Sequence, residues 1–200
     1  MPPLTRLAQE FVAGALRPGD LAIDGTVGNG WDTLFLARAV GPAGRVWGFD
    51  VQSAALERAR TRLTEGAMDN VRLVLACHAE IARWLTDADR GRVRGAMFNL
   101  GYLPGDGAGV QDDPGPITQP DTTVAALRTA LEFLASEGRL TVLCYRGHAG
   151  GSSESQAVEN LLASLDSTRY RVDRNVGPRD TPTGPVLWTV ASLMSQTATP

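Results

Sequence analysis

Lysine is absent from the 200-residue chain: all 19 basic side chains are arginine. Mechanisms built on a lysine Schiff base, a P-loop lysine or a kinase lysine are therefore excluded. Cysteine is scarce. Cys77 and Cys144 lack metal-like spacing, and with only His78 and His148 beside them a structural zinc site is not expected. Both cysteines border expected strands and read as buried, reduced thiols. No apolar run approaches the roughly 18 residues that cross a bilayer. The N-terminus shows no basic stretch leading into an apolar segment, so the expected location is cytoplasmic, with no membrane partner. The net charge of −3 argues against a protein that coats nucleic acid, though not against one that meets RNA at a local patch. What is present is 43% hydrophobic and 20% charged residues, the balance of a folded domain. The length favours one domain over residues 1–200.

Strand-like and helix-like segments alternate along the chain. Residues 4–16 form an amphipathic pattern ended by Arg17-Pro18-Gly19. This helix either covers the sheet or meets a second copy in a homodimer. Strands are expected over 21–24, 45–50, 71–75, 95–99, 140–145, 170–176 and 186–193. Helices are expected over 31–40, 53–65, 81–85 and 121–136, with Gly138 as the stop after the last. Ser53 is placed to cap the second of these. Ser153 and Gln156 have capping-box spacing for a further helix with Val158, Leu161, Leu162 and Leu165 on its buried face. Such alternation implies an α/β fold: a Rossmann-like, doubly wound, mostly parallel seven-stranded sheet with helices on both faces. The last two strands would make an antiparallel edge. Residues 101–120 are a long Gly/Pro-rich stretch read as a substrate-side loop, and the tail from 194 is expected to fray.

Sheets of this kind bind ligands beyond the C-terminal ends of their strands. The first strand is followed by Asp24-Gly25-Thr26-Val27-Gly28-Asn29-Gly30, a turn that lets backbone approach a ligand at a helix N-terminus. Counted from Gly28, the third glycine of a dinucleotide fingerprint falls on Thr33, so the match to NAD is imperfect, although an NAD-dependent oxidoreductase stays open as a rival. Asp24 before the loop can neutralise a cationic ligand, and S-adenosylmethionine carries an ammonium and a sulfonium. Asp50 after the second strand can accept from both hydroxyls of a ribose, and Gln52 can reach the same sugar or the adenine edge. Cys77 and His78 follow the third strand, where an adenine ring commonly lies. Asn99-Leu100-Gly101-Tyr102 follows the fourth: Asn99 and a neighbouring carbonyl can accept from a target amine, and Tyr102 can stack on a planar substrate. After the fifth strand come Arg146, which can meet a phosphate, and His148, which can move a proton.

Together these segments resemble one family, the class I S-adenosylmethionine-dependent methyltransferases grouped as rRNA methylases. That family includes the bacterial enzyme acting on 5-aminomethyl-2-thiouridine at the tRNA wobble position. The resemblance rests on the stretch from Asp24 through Asn29-Gly30-Trp31-Asp32-Thr33, on Phe49-Asp50-Val51-Gln52, and on Phe98-Asn99-Leu100-Gly101-Tyr102-Leu103-Pro104-Gly105. It continues in Ile117-Thr118 with Thr122-Thr123, and in Tyr145-Arg146-Gly147-His148. It implies that Asn29, Asp32, Asp50, Gln52 and His78 contact the cofactor, alongside Asp24, Gly28, Gly30, Thr33 and Cys77 around them. It implies that Asn99, Tyr102 and His148 lie on the substrate side. The expected cofactor is S-adenosyl-L-methionine, and the expected substrate is RNA near a tRNA anticodon, with rRNA or a small molecule as alternatives. This chain departs from the family in an acidic, Gly/Pro-rich run after Gly105 and in the segment from Arg179 to Pro185.

Overall fold

The computed structural model describes residues 3–101, 116–177 and 180–193. At its centre lies a seven-stranded mixed sheet in the order β3-β2-β1-β4-β5-β7-β6. The strands are β1 (Leu21–Asp24), β2 (Arg45–Asp50), β3 (Val71–Leu75), β4 (Val93–Asn99), β5 (Leu134–Cys144), β6 (Tyr170–Val176) and β7 (Val186–Ser192). Pairings from β3 through β5 are parallel, and β7 is antiparallel to both β5 and β6. The expected antiparallel ending is present, with β6 rather than β7 on the edge. The chain runs outward from β1 to β3 and crosses back to β4, so the central β1/β4 pair is the switch point where a crevice opens.

Alternation along the strands decides what covers each face. Ala22, Val46, Met97, Leu143 and Leu187 point to one side, against α1 (Leu4–Ala13), α2 (Trp31–Val40) and Leu63 of α3 (Ser53–Glu65). Their neighbours Ile23, Phe98, Val142 and Trp188 point to the other, against α4 (Pro120–Phe133), α5 (Gly151–Ala163) and a short 3₁₀ helix, His78–Arg83. Helices therefore cover both faces. Among the described residues no helix is long and apolar enough to cross a membrane.

Several boundaries differ from the sequence pattern for local reasons. The first helix stops at Ala13, where Gly14 caps it and Arg139 on β5 donates to the Phe11 carbonyl at 2.6 Å. Leu16 still packs on the same core, so its apolar spacing was met without helix. The α1 helix covers the sheet, with Ala8 and Val12 buried against it. The fourth helix ends at Phe133 and Leu134 begins β5 by pairing with Val93, because a bulge through Glu137, at φ 60°, carries the strand to Arg139. Leu134 and Ala135 are buried in a strand as they would be in a helix, so periodicity could not separate the two. Strand β4 starts at Val93, before the expected Gly95, and the short helix after β3 begins at His78 rather than Ile81. Ser53 is a helical residue rather than a cap, and Ser153 donates to the Gly150 carbonyl inside a helix that opens at Gly151. The stretch 102–115 and the tail from 194 lie outside the described residues.

Leu127, fully buried on α4, reports on the face that supports the site. Leu127→Ala should cost about 2–5 kcal/mol, read as a lower urea midpoint with an unchanged m-value.

Candidate functional site

A cavity of about 840 Å³ opens outside the C-terminal ends of β1, β2 and β4, at the switch point of the sheet. That volume suits a nucleoside-sized ligand. Its walls include Gly28, Asn29, Asp32, Asp50, Gln52, Cys77, His78, Asn99 and His148 from the residues singled out in the sequence. Tyr102 lies outside the described residues.

Asp24, Gly30 and Thr33 are not on the wall; they hold the wall in shape. Asp24 is 1% exposed and accepts from the Thr33 hydroxyl at 2.6 Å and the Thr26 amide at 3.1 Å. Burial first, then the charge of Asp32, pushes its carboxyl up to about 7. Asp24 thus faces the loop's own donors instead of a ligand, the opposite of what its position in the sequence suggests. Gly30 has φ 78°, and a Cβ there would lie 2.8 Å from Ala59 of α3. Only glycine lets the loop press so closely on that helix.

Asp50 stands half-buried at the end of β2. Its Oδ2 accepts from the Gly28 amide at 2.8 Å and its Oδ1 from the Gln52 amide at 2.9 Å. Each oxygen keeps lone-pair capacity toward the cavity. His78 is buried against the edge of Phe98 and donates to the Gly25 carbonyl. His78 lines the cavity, and its Nε2 is buried with no hydrogen-bond partner among the described residues. Desolvation pulls its pKa down to about 4. Cys77 is half-buried beside it, whereas Cys144 is buried and its thiol is pushed up to about 12 by burial and by Glu154.

Asn99 ends β4. Its amide N–H donates to the Thr26 hydroxyl at 2.6 Å, and its side chain hydrogen-bonds Asp32. Asp32 also accepts from Gln9 of α1 at 2.7 Å, and burial raises its pKa. A carboxylate can only accept, so the Asn99 amino group faces Asp32 and its carbonyl oxygen is turned the other way. Gly101 follows with φ 126°, and a Cβ there would stand 3.4 Å from His148 Nε2. His148 Nδ1 lies 2.9 Å from the Ala149 carbonyl; as the donor there, it leaves Nε2 as the ring's acceptor. Arg146 does not face the cavity as a phosphate ligand: its guanidinium is spent on the Gly184 and Thr181 carbonyls and on Asp180.

Sequence reading missed Gln9, Thr26, Tyr145 and Glu154. Gln9 carried no signal beyond a polar residue on an amphipathic helix. Tyr145 lines the cavity, and burial with the nearby Asp32 charge raises its pKa. Trp31, 61% exposed on the cavity rim, has the Arg62 guanidinium 3.6 Å over its ring.

Residues 46–190 match the family model described as "Putative rRNA methylase". The chain belongs to this family. A crystal structure from Clostridium thermocellum described as that of a putative rRNA methylase is similar, with 32% identity, TM-score 0.86, and 96% of this chain and 99% of that one covered. A Streptococcus mutans structure described as a putative methyltransferase in complex with SAH shares 35% identity, TM-score 0.82, over 96% of this chain and 99% of that one. The chloroplastic tRNA (mnm(5)s(2)U34)-methyltransferase of Arabidopsis thaliana is 34% identical over 80% of this chain and 59% of its own length. Ribosomal RNA small subunit methyltransferase H of Thermobifida fusca is 41% identical over 50% of this chain and 30% of its own length. The chain thus spans less than two thirds of the length of each of these two relatives.

Asp24 and His78 pull stability in opposite directions with pH. Asp24, raised from 3.8 to about 7, takes up a proton on folding between those values, so its contribution falls as pH rises through that window. His78, lowered from 6.5 to about 4, makes the folded state lose ground as pH falls from 6.5 toward 4. In the wild type the two slopes largely cancel between about pH 4 and 6.5. His78→Gln should leave the Asp24 slope alone, so the variant loses stability as pH rises over that range, measured by urea titration at several pH values.

Proposed function

We propose that this chain is an S-adenosylmethionine-dependent methyltransferase that N-methylates the aminomethyl group of a modified wobble uridine in tRNA. The observation carrying this reading is Asn99 on the cavity wall, its backbone pinned by Thr26 and its side-chain amino group engaged by Asp32, which leaves its carbonyl oxygen for another partner. An acceptor held this way can receive a hydrogen bond from a primary amine and aim its lone pair.

The cavity residues fit the cofactor. Asp24, Asp32 and Asp50 are close enough that the charges of Asp32 and Asp50 both raise the Asp24 carboxyl, and the sulfonium and ammonium of the cofactor would relieve that repulsion. Asp50, with capacity on both oxygens, suits a ribose diol. His78 can pack beside the nucleoside, and Gly28, Asn29, Gln52 and Cys77 complete the cradle. Asp32 would serve the amino-acid end of the cofactor while orienting Asn99. Asp24, Gly30 and Thr33 keep the loop in shape. When bound, the cofactor supplies a methyl group already activated on a sulfonium.

The protein's task is then alignment and proton management. Holding the amine in line, about 3 Å from the methyl carbon, can supply much of the roughly 7–11 kcal/mol available from positioning. An alkylammonium must first lose a proton. Asn99 favours the neutral amine by accepting its hydrogen bond, and His148, with Nε2 as acceptor, takes the proton. Tyr102 would stack on the base. The exposed face of Trp31 at the rim suits a neighbouring nucleotide, since base stacking on an aromatic ring is worth about 1–3 kcal/mol. A second reading, methylation of rRNA, is favoured by the likeness to the ribosomal RNA enzyme of Thermobifida fusca. An NAD-dependent oxidoreductase is disfavoured because Thr33, at the third glycine position, has its side chain committed to Asp24.

Isothermal titration should show micromolar binding of S-adenosylmethionine and none of NAD; the reverse preference overturns the reading. Purified protein with labelled cofactor should methylate tRNA from a strain lacking it, with the new mass on the wobble nucleoside. A label found only in rRNA would select the second reading. Asn99→Ala should lower turnover by about 10²-fold or more, the order that misplacement of a reacting group costs, with cofactor affinity nearly unchanged. Equal loss of both would remove Asn99 from its role.

A further inference from the structure

Glu154 lies outside the cavity wall, on the first turn of α5, and is 2% exposed. Among the described residues its carboxylate is not paired with a basic side chain. Oε1 accepts from the Thr123 hydroxyl at 2.6 Å and Oε2 from the Thr118 hydroxyl at 2.7 Å. Thr118 in turn accepts the Gly101 amide N–H at 2.8 Å, and its own amide donates to the Gly101 carbonyl at 3.1 Å. The direction of the chain of bonds is fixed. Thr118 Oγ1 accepts a hydrogen bond from the Gly101 amide and donates its own to Glu154, because an ionised carboxylate can only accept.

We infer that Glu154 is a positioning residue that sets the Asn99 side chain against His148, acting through Thr118 and Gly101. Three parts of the site meet on it. Gly101 lies two residues past Asn99, the last residue of β4. Thr118 and Thr123 belong to the entry and first turns of α4. Glu154 rises from the turn that carries His148, its amide bonded to the Gly150 carbonyl at 3.0 Å. A Cβ on Gly101 would approach His148 Nε2 and Tyr145, so the Gly101 backbone and the His148 ring are already near contact. Small displacements of Gly101 are therefore felt on both sides of the proposed amine position. A buried carboxylate on two hydroxyls is also costly to disturb, because losing one partner leaves charge desolvated and unsatisfied.

The inference rests on the reading of Asn99 and His148 as the substrate side. Thr118→Val keeps shape and removes the relay hydroxyl; Thr118→Ser restores it. Thr118→Val should lower kcat for methyl transfer to tRNA by about 10–100-fold, with the Kd for S-adenosylmethionine held within about twofold. It should also shift the Asn99 side-chain amide resonances and speed exchange of the Gly101 amide. Thr118→Ser should return every readout to near wild type. Glu154→Gln should be the milder variant, because an amide oxygen can still accept the Thr118 hydrogen bond if the amino group turns to Thr123.

Thr118→Val with wild-type kcat and unmoved Asn99 resonances would overturn the inference. So would a fall in kcat matched by an equal loss of cofactor affinity, the mark of a disturbed cofactor site instead of a displaced substrate side. A wild-type protein inactive on tRNA would sink the substrate reading instead. The Asn99 resonances and the Gly101 exchange rate would then still decide whether Glu154 positions this segment.

Discussion

The site depends on a buried carboxylate that never reaches the cavity. Asp24 closes β1 and spends its oxygens on Thr33, at the start of α2, and on the Thr26 amide. Thr26 passes the constraint on, because its hydroxyl takes the Asn99 amide at the end of β4. One acid thereby fixes the glycine-rich turn, the entry of the helix behind it and the neighbouring strand's last residue. Burying that group among other carboxylates is unfavourable, as its upward pKa shift records. The strain is offset by hydrogen bonds in the unbound protein and would be relieved further by a positively charged ligand.

Acceptors dominate the rest of the cavity in the same spirit. Asp32 and Asp50 are committed on one side to donors of the protein's own backbone or to Gln9, and keep capacity on the other. Each is oriented before any ligand arrives. Preorganised acceptors need no rearrangement when bonds are made, the condition under which polar groups in a partly dry cavity are most effective. Membership of the rRNA methylase family agrees with an apparatus built to hold rather than to react.

Much of this was legible in the sequence. The strand and helix alternation gave the α/β sheet, and residues following β1, β2, β3 and β4 converge on one cavity because parallel strands deliver their C-terminal ends to one edge. The part that could not be read is three-dimensional. Asp24 looked like a ligand residue because the linear pattern cannot say which way a carboxylate turns once Thr33 comes round the helix to meet it. Gln9 and Glu154 are distant in the chain from Asn99 and Gly101, and nothing in their local spacing marks them. Arg146 resembled an anion site until the segment at Asp180 to Gly184 took its donors. The end of α4 was misjudged because Leu134 is buried whether the backbone is helical or extended.

The placement of β7 has a consequence for how the sheet comes together. Among the described residues strand β6 pairs only with β7, and β7 is what joins it to β5. As the chain emerges from a ribosome, β6 is made first and has no strand to dock on, and β5 presents a bare edge until β7 is complete. Bare edges invite pairing with other chains. The final third of the sheet therefore closes in a single late step, and any opening of β7 releases β6 with it. These two strands form one cooperative unit whose loss leaves β5, the strand leading to His148, as a new edge.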